Sequence, residues 1–225
     1  MHDAIDGFTP AFAPLDPNLA PGAFQSYLNG VEAQNDAVSD ADAVYSPLTD
    51  ARTAAALGVK DKALRVKDYV SANVAWRKYL NAISTAADNL RGYRLPKKVP
   101  TPPAGAVPPP PKKVGQGARS QQGYADLENL FGKLIKQVEK ITGYTAPAGS
   151  GLTIAEIKAQ DAAFTQLNDD VSEAEATLSE AQRVRKDFYD GENGLKEKMK
   201  CIKKAVRSQY GSASPQYAAV NAIKL

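Results

Sequence analysis

The sequence predicts an all-α fold: two tandem antiparallel helical-bundle modules with long coiled-coil-like helices, joined by a proline-rich linker. Three observations carry this. Apolar residues recur at steps of three, four and seven over most of the chain. No run of residues alternates as a half-buried strand does. One short segment holds eight of the fifteen prolines. The predicted boundaries are 1–94 for the first module, 95–118 for the linker and 119–225 for the second module.

The first module opens on the seam Phe24, Leu28, Val31, Val38, Ala41, Tyr45 and Leu48, which marks one face of a long helix. Pro47 interrupts it. Proline lacks the backbone donor and clashes with the carbonyl four residues back, so a kink or break near Tyr45 is expected. A separate, shorter helix then follows from Val59, Ala63, Val66 and Val70, and another from Trp76, Leu80, Ile83, Ala87 and Leu90. Leu95 to Val114 cannot be helix or central strand, and polyproline II is its expected local state. Beyond the linker, Leu127, Phe131, Leu134, Val138 and Ile141 mark an amphipathic helix. Ile154, Ile157, Phe164, Val171, Ala174, Leu178, Ala181 and Phe188 form a heptad-like seam on one helix of roughly 35 residues, or ~50 Å at 1.5 Å per residue. Leu195, Met199, Ile202 and Val206 give the helix after it. In the tail, Gly211 suits a left-handed cap, Ser214 an N-cap and Pro215 the first position of a last short helix.

The two modules read as an internal duplication. At an offset of 133, eight of the eighteen positions 35–52 are identical, Asn35/Asn168, Val38/Val171, Ala41/Ala174 and Arg52/Arg185 among them. Upstream, Gly7-Phe8-Thr9 echoes Gly143-Tyr144-Thr145. Charge partitions around the linker. Residues 1–90 carry 7 basic and 11 acidic groups, residues 91–119 carry 7 basic and none acidic, and residues 120–225 carry 14 of each. The net charge of +3 is far from the excess that would by itself announce a nucleic-acid binder.

Catalytic templates fail one by one. The single histidine, His2, stands at the chain's start, so histidine-based nucleophile activation and multi-histidine metal sites are excluded. No glycine-rich phosphate loop is present, and Asp36, Asp40 and Asp42 lie in a helical pattern without the glycine and closing glutamate of a calcium loop. The expectation is a chain that is not an enzyme and needs no cofactor or metal. No stretch approaches the ~18 apolar residues of a membrane span, and the opening residues lack a basic n-region and apolar h-region. A cytoplasmic location is the default expectation, with unconventional export left open.

Interaction candidates remain. Lys196, Lys200, Lys203, Lys204 and Arg207 form a basic stripe beside the apolar stripe of the same helix. Such a face suits phosphates, an anionic surface or an acidic partner, or else it is a solvated face balancing nearby acids. Pro108, Pro109, Pro110 and Pro111 followed by Lys112 and Lys113 have the form of a proline-rich ligand for another protein, or of a solvated spacer. Asn35 and Asn168 fall on the seams, where a buried asparagine fixes register and partner choice. Arg52 and Arg185 end the seams, positions from which they can pair with a carboxylate or cap a helix. Cys201 adjoins the apolar stripe among lysines and reads as an inert thiol or one with a lowered pKa.

The order SQQGYADLENLFGKLIKQV, then GYT, then a long helix with LND near its middle, then YG-x-x-SP-Q-Y resembles a family of uncharacterised bacterial all-helical duplicated proteins. The resemblance covers residues 119–225 and, more faintly, 19–95. It implies a helical fold with internal duplication and no assigned activity. The reading that results is a non-enzymatic structural or scaffold protein, a self-associating homo-oligomer subunit of a filament or ring, with copies of itself as partners. The alternative is a binding module that uses the basic helix face for nucleic acid or an anionic surface. The lack of interleaved aromatics counts against nucleic acid.

Overall fold

The computed structural model describes residues 1–92 and 123–224. Among them the fold is all-helical: α1 (His2–Asp6), α2 (Pro21–Ala72), α3 (Leu80–Leu90), α4 (Tyr124–Glu139), α5 (Ile154–Asp190), α6 (Leu195–Tyr210) and α7 (Pro215–Asn221). Short 3₁₀ turns at Pro17–Leu19 and Val74–Tyr79 precede α2 and α3. The long helix expected from Ile154 onward is α5, at 37 residues. The proline-rich linker, with Pro108 to Lys113, lies outside the described residues.

The expected break near Tyr45 is absent. Helix α2 runs unbroken for 52 residues with Pro47 inside it, and Val59 to Val70 belong to that same helix. An interior proline costs about 3 kcal/mol. Beyond it, Val59, Ala63, Val66 and Val70 are all fully buried, and each buried valine contributes about 1.5–3 kcal/mol. Packing on the far side therefore outweighs the lost hydrogen bond. Because Pro47 is itself exposed, Pro47→Ala is expected to stabilise the fold by roughly 1–3 kcal/mol in urea unfolding. A loss of stability would mean that the helix needs the proline.

The chain divides into two compact units that do not follow the modules expected from sequence. One is Met1–Pro47 with Ser172–Leu225; the other is Leu48–Val171. Helices α2 and α5 each give one portion to each unit.

In the first unit, Ile5 of α1, Phe12, Leu19, Phe24 of α2, Ile202 and Val206 of α6 and Val220 of α7 form the core. The C-terminal tail clasps the N-terminal segment over it. Tyr210 Oη donates to Pro10 O at 2.6 Å, and its ring meets Phe8 edge-on at 5.5 Å. Gln209 Nε2 donates to Ala11 O at 2.9 Å, and its Oε1 accepts from Ala13 N at 3.0 Å. Ser214 caps α7 by accepting from Tyr217 N at 3.1 Å, with Pro215 in the first turn, as the tail predicts. Gly211 has φ +90° and ψ 158°, so it takes the positive φ expected of glycine but an extended ψ instead of the left-handed helical one.

In the second unit, Val59, Val66 and Val70 of α2, Ile83, Ala87 and Leu90 of α3, Phe131 and Leu134 of α4 and Ile157 and Phe164 of α5 share one core. A loop rich in glycine leads into α5. Thr153 and Glu156 cap that helix reciprocally: Glu156 N donates to Thr153 Oγ1 at 3.2 Å and Thr153 N to Glu156 Oε2 at 3.0 Å. These hydrogen bonds hold the Glu156 carboxyl below its ordinary range, Thr153 being the main cause. The same loop is gripped from α2, where Lys62 Nζ donates to Gly151 O at 2.7 Å and Arg65 to Ser150 O at 2.6 Å. Tyr69, Trp76 and Tyr144 cluster beside it. Tyr144 Oη donates to Leu152 O at 2.8 Å, and burial pushes its pKa up to about 12.

Candidate functional site

The basic stripe lies on α6, the helix that buries Ile202 and Val206 in the first unit. Its five residues do not form one free face. Lys196 pairs with Asp190 at 2.6 Å, at the turn between α5 and α6. Lys203 Nζ donates to Ile223 O at 2.5 Å, closing the end of α7. Lys200 reaches Glu197 at the longer distance of 3.4 Å and stays exposed. Lys204 and Arg207 are exposed and form no ion pair with the described residues. The surface open to a partner therefore narrows to Lys200, Lys204 and Arg207. Lys198, not part of the predicted stripe, sits 4.8 Å over the Tyr27 ring. Cys201 is half-buried, with Sγ 3.9 Å from Glu197 Oε1.

Asn35 and Asn168 each join two helices. Asn35 Nδ2 donates to Tyr189 Oη of α5 at 3.2 Å within the first unit. Asn168 Nδ2 donates to Glu128 Oε2 of α4 at 3.0 Å within the second. Arg52 finds an aromatic face instead of a carboxylate, its guanidinium lying 4.1 Å over the Tyr124 ring. Comparison with protein-family models, with curated proteins and with solved structures finds no match.

Glu128 has a second neighbour on α5. Burial first, and the Glu128 charge second, push the Asp161 carboxyl above its ordinary range, and its Oδ1 is buried without a hydrogen-bond partner. With the folded pKa above the unfolded one, ionising Asp161 costs stability above the folded pKa. That cost fades as the pH falls through the folded pKa toward the ordinary value of 3.8. Asp161→Asn is expected to raise the neutral-pH melting temperature and to flatten this part of the pH–stability curve. An unchanged curve would show that the Asp161 carboxyl is not raised in the fold.

Sequence reasoning missed a cleft of about 460 Å³ between α3 and α4, where Asn81, Thr85 and Asn89 face Lys133 and Gln137. The signal was present as polar residues at i, i+4 and i+8 beside the apolar stripe of α3. Among the described residues no three His, Cys, Asp or Glu side chains lie close enough to hold a metal ion, and no helix is long and apolar enough to cross a membrane.

Proposed function

We infer that the chain is a non-enzymatic structural subunit, built by internal duplication, that associates with copies of itself. The observation that carries this reading is one packing motif that recurs in both units. At an offset of 141, Tyr69-Val70-Ser71-Ala72-Asn73 matches Tyr210-Gly211-Ser212-Ala213-Ser214. Tyr69 Oη donates to Thr145 O at 2.7 Å and meets the Tyr144 ring edge-on at 6.0 Å. Tyr210 makes a similar bond, to Pro10 O, one position beyond the repeat counterpart Thr9, and the corresponding contact with Phe8. The loops being held are the Gly143-Tyr144-Thr145 and Gly7-Phe8-Thr9 pair of the sequence repeat. Both motifs end on a cap, Asn73 accepting from Ala75 N and Ser214 from Tyr217 N.

A duplicated chain presents related surfaces twice, so weak contacts add through multivalency. Helices of 52 and 37 residues, against a usual 10–14, also suit a part that spaces or spans. Lysine-reactive cross-linking at rising protein concentration tests the reading. A ladder of dimers and higher species that grows with concentration is the expected result; a single 24 kDa band throughout overturns it. The exposed Lys204 and Arg207 favour a second reading, a basic face for nucleic acid or an anionic surface. The engagement of Lys196 and Lys203 within the fold weakens it.

A further inference from the structure

We propose that the first unit carries both halves of a head-to-tail contact between copies of this chain. The α6 face of Lys200, Lys204 and Arg207 on one copy docks on the α2 face of Glu32, Asp36 and Asp40 on the next. The proposal rests on the self-association reading and names its surfaces.

The acidic half follows from sequence and exposure together. Residues 1–51 contain no lysine or arginine, so this stretch of α2 carries its carboxylates without a base of its own. Glu32, Asp36 and Asp40 stand at i, i+4 and i+8, one above another on the helix surface. All three are exposed, and none forms an ion pair with the described residues. Val44, one turn further along α2, is an apolar side chain left 56% exposed.

The basic half has a matching spacing. Lys200, Lys204 and Arg207 stand at i, i+4 and i+7, all exposed. At 1.5 Å per residue the acidic row spans about 12 Å and the basic row about 10.5 Å, so two helices laid side by side bring three opposite pairs into reach. Where one acidic row meets one basic row at a single contact, each copy keeps its other row free for a further copy. Pairing unlike faces is heterologous, and it propagates as an open filament unless the rotation closes a ring. The occupant is a second copy because the chain supplies both members of the complementary pair. Exposed ion pairs are individually weak and screened by salt, so the contact must be salt-sensitive and depend on repetition.

The test uses the full chain and two triple charge reversals, E32K/D36K/D40K and K200E/K204E/R207E, with circular dichroism checking that each retains the helix content of the parent. Sedimentation velocity at ~0.05 M salt is expected to show concentration-dependent association of the parent, at least tenfold weaker at ~0.5 M salt. Each reversal alone is expected to remain monomeric, and an equimolar mixture to recover association at one-to-one stoichiometry, because the native α6 face of the first variant meets the native α2 face of the second. Association that persists in either reversal, or a mixture that stays monomeric, overturns this interface while leaving self-association standing. A parent that is monomeric at every concentration overturns both. A monomeric parent that binds duplex DNA in an α6-dependent way replaces both with the second reading.

Discussion

A chain cut once within residues 95–118 is expected to stay a single particle. Fragments 1–94 and 119–225 made separately are expected to lose cooperative unfolding and regain it when mixed. The reason is that each core draws residues from both fragments. The first core takes Ile5, Phe12, Leu19 and Phe24 from one fragment and Ile202, Val206 and Val220 from the other. The second takes Val59, Val66, Val70 and Ile83 from one and Phe131, Leu134 and Phe164 from the other. Domains of this size are stable by only about 5–15 kcal/mol. At about 1.5–3 kcal/mol per large apolar side chain, losing half of each core removes that margin. Thermal melts by circular dichroism decide the matter. Cooperative melting of either fragment alone would mean that the sequence modules are the folding units after all.

Phe131→Ala is expected to be the most damaging single truncation in the second unit, costing about 3–5 kcal/mol. Phe131 is fully buried on α4, in the core shared by α2, α3 and α5. The removed ring leaves a cavity that three other helices would have to collapse to fill. Phe24→Ala is the counterpart in the first unit, where Phe24 is 1% exposed against α6 and α7. If the units unfold separately, calorimetry of Phe131→Ala should show one transition moved down and one unmoved. A loss below about 1 kcal/mol for Phe131→Ala would contradict the packing described here.

Much of this fold was legible in the sequence because burial on helices is periodic. The spacing of Ile157, Phe164, Val171 and Ala174 gave α5, and all four are buried. The tail was legible for a local reason, since Ser214 and Pro215 act on the backbone beside them. Pro47 misled because its cost is local whereas its compensation, the burial of Val59 to Val70, is tertiary. The division into units was invisible for a related reason. A seam tells which face of a helix is buried, not which other helix buries it, so Phe24 and Val59 look like one module yet belong to different cores. Among the candidate site residues, Lys196, Lys200, Lys203, Lys204 and Arg207 all lie on one helix, α6. What sequence could not supply was that Lys196 would find Asp190 and Lys203 the end of α7.

Self-association is tested most directly by the mass of the untagged chain, measured by light scattering over a hundredfold concentration range. Done at ~0.05 M and ~0.5 M salt, it separates charge-driven contact from any other. A mass that climbs above 24.0 kDa with concentration at low salt and falls back at high salt is the expected result. A constant 24.0 kDa under both conditions would contradict it.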